Sequence, residues 1–150
     1  MIIRIDVSGD IPIYMQLRNE IVKGIGRGEF ADGEALPTVR QLAADLGVNS
    51  MTVSKAYQCL RSEGYIETDR RRGAVVRLPD RDSQCADPAF CERLESGLEL
   101  LSAEAKIKGF RKEEFIRMCS AAFEGGRGLT ADGRLTEKTV PREGRPGMSG

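Results

Sequence analysis

The sequence predicts an α+β fold, mostly α, and three observations carry that expectation. Between Leu36 and Gly64, two helical segments with apolar periodicity are separated by a very short turn containing Gly47. Directly after them, β-branched runs at 66–68 and 74–78 flank Asp69-Arg70-Arg71-Arg72-Gly73. From Asp87 onward, apolar residues again recur every three or four positions. Helix, turn, helix and hairpin in this order make a winged helix-turn-helix, whose second helix is shaped for the DNA major groove. The later segments make a small helical hairpin. The expected organisation is a winged domain with an N-terminal arm at 1–79, a linker at 80–86, a helical dimerisation region at 87–124, and a disordered tail at 125–150.

Each element has a local cause. Met1 to Gly9 alternates Ile2, Ile3, Ile5 and Val7 before Ser8-Gly9, which reads as an extended arm and an edge strand beside the wing. Pro12 to Gly28 reads as a long amphipathic helix, with Ile13, Leu17, Ile21, Val22 and Ile25 on one side. Gly24, Gly26 and Gly28 weaken its last turns. A turn-rich loop around Asp32-Gly33 follows.

Pro37 biases Leu36 toward extended backbone, so the next helix starts after it. Thr38 and Gln41 have capping-box spacing. Val39, Leu42, Ala43 and Leu46 share one face, and Gly47 ends the helix. Asn49 or Ser50 caps the following helix. Its buried face is Val53, Ala56, Tyr57 and Leu60, and Gly64 stops it. Tyr57 reads as a core residue rather than a base-stacking one. Three consecutive Arg at a hairpin tip face solvent or a polyanion, because burying them unpaired is too costly.

The polar run 80–86 reads as a linker, and Asp87-Pro88 is a strong helix start. Phe90, Leu94, Leu98, Leu101 and Ala105 continue at spacings of four, four, three and four, ending near Gly109. Phe115, Cys119, Ala122 and Phe123 mark a second, shorter helix, for which Arg111 is a poor cap. From Gly125 onward few apolar residues remain, so the tail is expected to be disordered.

Composition excludes more than it proves. With 150 residues the chain can bury a core without a staple. No signal peptide and no membrane-length apolar run is present, so a soluble cytoplasmic protein without membrane contact is expected. The net charge is zero, a weak global signature for nucleic-acid binding. Charge is uneven, however: between Pro37 and Arg77 seven basic residues face four acids. Cys59, Cys85, Cys91 and Cys119 show no metal-ligand spacing, and there is no His. Cys59 reads as a partly buried reduced thiol. Gly24-Ile25-Gly26-Arg27-Gly28 lies late on a helix and lacks the strand and the Lys-Ser/Thr of a phosphate loop. No catalytic cluster, metal or cofactor is implied, so an enzyme is not expected.

Pro12-Ile13-Tyr14 with Gln16, Leu36-Pro37-Thr38-Val39-Arg40-Gln41-Leu42-Ala43, Val48, Thr52-Val53, Ala56-Tyr57, Leu60, Glu63-Gly64 and Arg72-Gly73 together resemble the GntR family of bacterial transcription regulators. The resemblance spans about Ile11 to Val76. The short helical remainder is similar to the YtrA-type subfamily, which carries a small dimerisation region. The resemblance implies a sequence-specific regulator of transcription that binds double-stranded DNA, expected to be a homodimeric repressor on an inverted-repeat operator. It implies DNA contacts from Thr38 and Arg40, from Asn49, Ser50, Met51, Thr52, Ser54 and Lys55, and from Arg72-Gly73, with Arg70 and Arg71 completing the basic tip. Helix N-termini and small hydroxyls suit phosphate, Arg suits guanine, and a basic wing suits the minor groove or a phosphate. The competing reading of Arg40 is a salt bridge to Asp45 or Glu67.

One departure matters. YtrA-type proteins carry Pro-Asn in the turn after Val-Asn, where this chain has Ser50-Met51. Met51 can meet a thymine methyl but cannot hydrogen-bond a base edge usefully, so the operator sequence does not carry over. Phe90, Leu94, Leu98, Leu101, Phe115 and Cys119 are the expected dimerisation surface, because two helices with one apolar face need a partner. In a monomer the same seam would cover the back of the winged domain. The alternative function is a winged-helix module that binds protein rather than DNA. A small-molecule effector is compatible with the chain, but no residue names it.

Overall fold

The computed structural model describes residues 1–79, 87–125 and 136–139. The expected linker at 80–86 and most of the tail lie outside the described residues. The chain divides into two units, one holding Met1–Leu78 and the strand from the tail, the other holding the last two helices.

The first unit begins with strand β1 (Ile2–Ile5) and helix α1 (Ile13–Gly26). Helices α2 (Val39–Leu46) and α3 (Ser50–Ser62) follow, then the hairpin of β2 (Ile66–Asp69) and β3 (Gly73–Val76). One apolar core unites them. Ile3 and Ile5 enter it from β1, and Leu17, Ile21 and Ile25 from α1. Leu42, Ala43 and Leu46 come from α2, and Val53, Ala56, Tyr57 and Leu60 from α3. Phe30, Leu36, Ile66 and Val76 complete it. The periodicity therefore identified the buried faces of all three helices, except that Ile13, Val22 and Val39 lie only partly buried at its edge. Each fully buried Leu, Ile or Val contributes about 1.5–3 kcal/mol of transfer free energy.

The wing hairpin pairs Ile66 with Val76 and Asp69 with Gly73. Its further partner is the segment before α2. Ala35 bridges Val75, the Leu36 amide donates to Ala74 at 2.8 Å, and the Val76 amide donates to the Glu34 carbonyl at 2.9 Å. This corrects the expectation that the N-terminal arm lies beside the wing. Strand β1 instead pairs antiparallel with Thr136–Thr139, from Ile2 opposite Thr139 to Ile5 opposite Thr136. The tail is thus not wholly without structure. The physical reason is that Ile3 and Ile5 anchor β1 in the core, so its backbone edge is held ready for another strand. A pairing so distant in sequence leaves no mark on local composition.

The second unit comprises helix α4 (Pro88–Ile107) and helix α5 (Lys112–Phe123). The strand Thr136–Thr139, β4, closes the element order. Asp87 caps α4 through the Ala89 amide at 3.1 Å. Arg111 offers no acceptor to α5, as expected, and Glu114 reaches back to the Arg111 amide at 3.0 Å instead.

Candidate nucleic-acid interface

The interface is built on two caps and one turn. Thr38 Oγ1 accepts the Gln41 amide at 3.2 Å, and Gln41 Oε1 accepts the Thr38 amide at 2.9 Å, so the capping box is complete. Gly47 has φ 64°, a left-handed conformation that glycine adopts without a Cβ penalty, and it ends α2 two residues before the next cap. Asn49 Oδ1 accepts the Met51 amide at 2.8 Å. Asn49 is therefore the cap, and Ser50 is the first helical residue.

Burying Val53, Ala56, Tyr57 and Leu60 turns the opposite face of α3 outward. Met51, Lys55, Gln58 and Ser62 stand there at spacings of four, three and four, all exposed, and Met51 is 75% exposed. Thr52 and Ser54 flank this face, half-buried. Gln58 was absent from the sequence-based site, although its place on the same stripe was legible from the spacing.

Tyr57 ties α3 to the segment that enters α2. Its ring is 2% exposed, and its hydroxyl donates to the Pro37 carbonyl at 2.6 Å, directly before the cap of α2. Burial pushes the phenol well above its ordinary range, so it stays a donor. Tyr57→Phe should lower unfolding free energy by about 1–2 kcal/mol, by leaving the Pro37 carbonyl without its donor. Urea denaturation of both proteins measures this, and equal midpoints would show that water replaces the bond at no cost.

The wing tip is a side-chain-stabilised turn. Asp69 Oδ1 accepts the Arg71 and Arg72 amides at 2.8 and 2.9 Å. These two amides hold the Asp69 carboxyl below its usual pKa. Gly73, at φ 78°, returns the chain into β3.

The three tip arginines are not equivalent. Arg72 folds back, donating to the Gly33 carbonyl at 2.8 Å and lying 3.5 Å from Asp69 Oδ2. Arg70 and Arg71 are exposed and form no ion pair among the described residues. Arg77, at the base, is bound to Glu67 and lies 3.9 Å from Asp32. The hydrogen bond from Arg77 lowers the Glu67 pKa. Glu67 is thus taken, and Arg40 pairs with neither Glu67 nor Asp45 among the described residues. Arg40 projects from the first turn of α2, exposed.

Lys55 also lacks a carboxylate partner among the described residues. Its ammonium lies 4.0 Å from the centroid of the Tyr14 ring on α1. The expected site residues on α2, α3 and the wing thus belong to one domain with a single core.

The sequence profile of the bacterial regulatory proteins of the gntR family matches residues 13–76. The HTH-type transcriptional repressor YtrA of Bacillus subtilis is 34% identical over 132 residues, covering 83% of this chain and 97% of that protein. The chain belongs to the GntR family. The identity with YtrA across nearly its whole length places it with the YtrA-type members. A second relative, the HTH-type transcriptional regulator Rv1152 of Mycobacterium tuberculosis, is 40% identical over 88 residues, or 58% of this chain and 73% of that one. Among solved structures, YtrA from Sulfolobus acidocaldarius, a GntR-family transcription factor, aligns with a TM-score of 0.56 at 35% identity, covering 67% of this chain and 97% of that chain. This GntR protein is a DNA-binding transcription regulator and not an enzyme.

The second unit of the GntR chain presents an apolar helical face, exposed among the described residues. No residue of α4 or α5 is buried. Phe90, Leu94, Leu98 and Leu101 line one open apolar groove along α4, with Arg93 and Gly97 at its sides. Phe115 is half-buried and Cys119 exposed on α5, where Ile116, Met118 and Phe123 are exposed as well. Among the described residues, no helix is long and apolar enough to cross a membrane, and no cluster of His, Cys, Asp and Glu could hold a metal ion.

Proposed function

We propose that this regulator is a cytoplasmic homodimer that represses transcription by occupying an inverted-repeat operator. The observation that carries the reading is the paired display on one domain: the outward face of α3, and a wing whose Arg70 and Arg71 have no carboxylate partner among the described residues. Thr38, Asn49 and Ser50 lie at helix N-termini, where backbone amides and small hydroxyls suit phosphate. Arg40 suits guanine, and Met51 suits a thymine methyl. Thr52, Ser54 and Lys55 flank them on α3. In the wing, Arg70 and Arg71 meet DNA beside Gly73, while Arg72 braces the tip against Gly33. The name of the Bacillus subtilis relative supports repression. Phe90, Leu94, Leu98, Leu101, Phe115 and Cys119 supply the dimer contact, since so much exposed apolar surface calls for a partner.

Selection of bound duplexes from a random DNA library tests the reading. The expected product is an inverted repeat with half-sites roughly 10 bp apart, one helical turn, so that both recognition helices reach the same face of the duplex. On the selected duplex, Arg70→Ala with Arg71→Ala should flatten the log–log salt dependence by about 0.9 for each phosphate contact removed. An unchanged slope would reduce the tip to a solvated turn. No salt-dependent affinity at all would leave a winged-helix module for protein partners.

A further inference from the structure

Most basic side chains of the winged domain that contact another group are matched by a carboxylate. Arg18 lies 2.9 Å from Glu63, Lys23 lies 2.8 Å from Glu20, Arg77 is bound to Glu67, and Arg72 lies beside Asp69. Lys55 is held differently. It stands on the outward face of α3, and its ammonium sits over the ring of Tyr14, 4.0 Å from the centroid. Tyr14 is the second residue of α1, half-buried and packed against the core, so the ring is a fixed platform.

The difference has a physical consequence. A carboxylate partner neutralises a cation and must be stripped away before a phosphate can take its place. An aromatic face attracts the ammonium through its quadrupole and leaves the full charge in place. It also narrows the rotamers of a long, flexible side chain, whose ordering would otherwise cost free energy at the moment of binding.

We propose that Tyr14 is a positioning residue for DNA binding, holding Lys55 in a preorganised, uncompensated state for a backbone phosphate. The proposal rests on the DNA-facing assignment of Lys55 made above. The aromatic platform comes from α1, outside the helix-turn-helix, and becomes visible only when α1 packs on α3.

The test measures binding of the full chain to the selected duplex by fluorescence anisotropy across a salt series. Tyr14→Phe keeps the ring face, whereas Tyr14→Leu removes it. Tyr14→Leu should weaken binding about two- to fivefold per half-site, and Tyr14→Phe should retain wild-type affinity. In a Lys55→Ala background, Tyr14→Leu should have no further effect. Lys55→Ala alone should weaken binding and flatten the salt slope by about 0.9 per half-site.

A direct readout accompanies these. The Lys55 side-chain Cε protons should show an upfield ring-current shift in the free protein, kept in Tyr14→Phe and lost in Tyr14→Leu. Circular dichroism of each variant reports whether the fold is intact. Equal loss from Tyr14→Phe and Tyr14→Leu would overturn the proposal and point to a hydroxyl–phosphate contact. Loss from Tyr14→Leu that persists without Lys55, or no loss from Tyr14→Leu, would overturn it too. If Lys55→Ala itself leaves binding unchanged, the DNA-facing assignment of Lys55 fails rather than its coupling to Tyr14.

Discussion

Leu98→Glu combined with Leu101→Glu should yield monomers that keep the winged domain and bind a full operator weakly. Leu98 and Leu101 are 42% and 55% exposed in the isolated chain, and they share the groove on α4 with Phe90 and Leu94. In a dimer built on this groove, two carboxylates per protomer would be buried without partners, which is costly enough to break the association. In the monomer the same carboxylates stay in water, and the separate core of Ile3, Leu17, Leu42, Tyr57 and Val76 is untouched. Loss of the second half-site contact removes an effective-concentration advantage on the order of 10²–10⁴. Sedimentation equilibrium gives the mass, circular dichroism the fold, and anisotropy the affinity. A folded dimer that survives both changes would move the interface off α4.

Arg40→Ala should cost about 1–3 kcal/mol per half-site and relax base preference at one operator position. Arg40 stands exposed in the first turn of α2, behind a complete capping box that fixes where that turn begins. The salt bridges that could have occupied it are absent: Glu67 holds Arg77, and Asp45 lies in no ion pair with Arg40 among the described residues. Its guanidinium therefore needs no partner exchange to meet a base edge. Binding to the selected duplex and to single-position variants separates the outcomes. Equal loss on every variant would make Arg40 a phosphate contact, and unchanged binding would remove it from the interface.

Much of the winged domain was legible because its causes are local. Thr38 with Gln41, Gly47, Asn49 and Gly64 act over a few residues, so the sequence marks both ends of α2 and α3. The helical period then assigns Val53, Ala56, Tyr57 and Leu60 to the core, and the outward stripe follows by subtraction. Gln58 falls on that stripe by the same spacing. The pairing of the arm with the strand at 136–139 is not legible in the sequence for the opposite reason. A strand edge is completed by whichever segment arrives, and neither Ile2–Ile5 nor Thr136–Thr139 names the other.

By itself, then, the sequence determined the family, the order of elements from α1 to α5, the helix boundaries of the motif and the apolar faces, because capping and periodicity are written within one or two helical turns. The tertiary structure decided which charges are available. Arg72 is tied to Gly33, 39 residues earlier, and Arg77 is tied to Glu67 and Asp32. Lys55 rests on Tyr14, brought from another helix. Three consecutive arginines look alike in sequence. They diverge in the fold because hydrogen bonds and ring contacts depend on which surfaces meet, and only the packed core of α1, α2, α3 and the wing sets that.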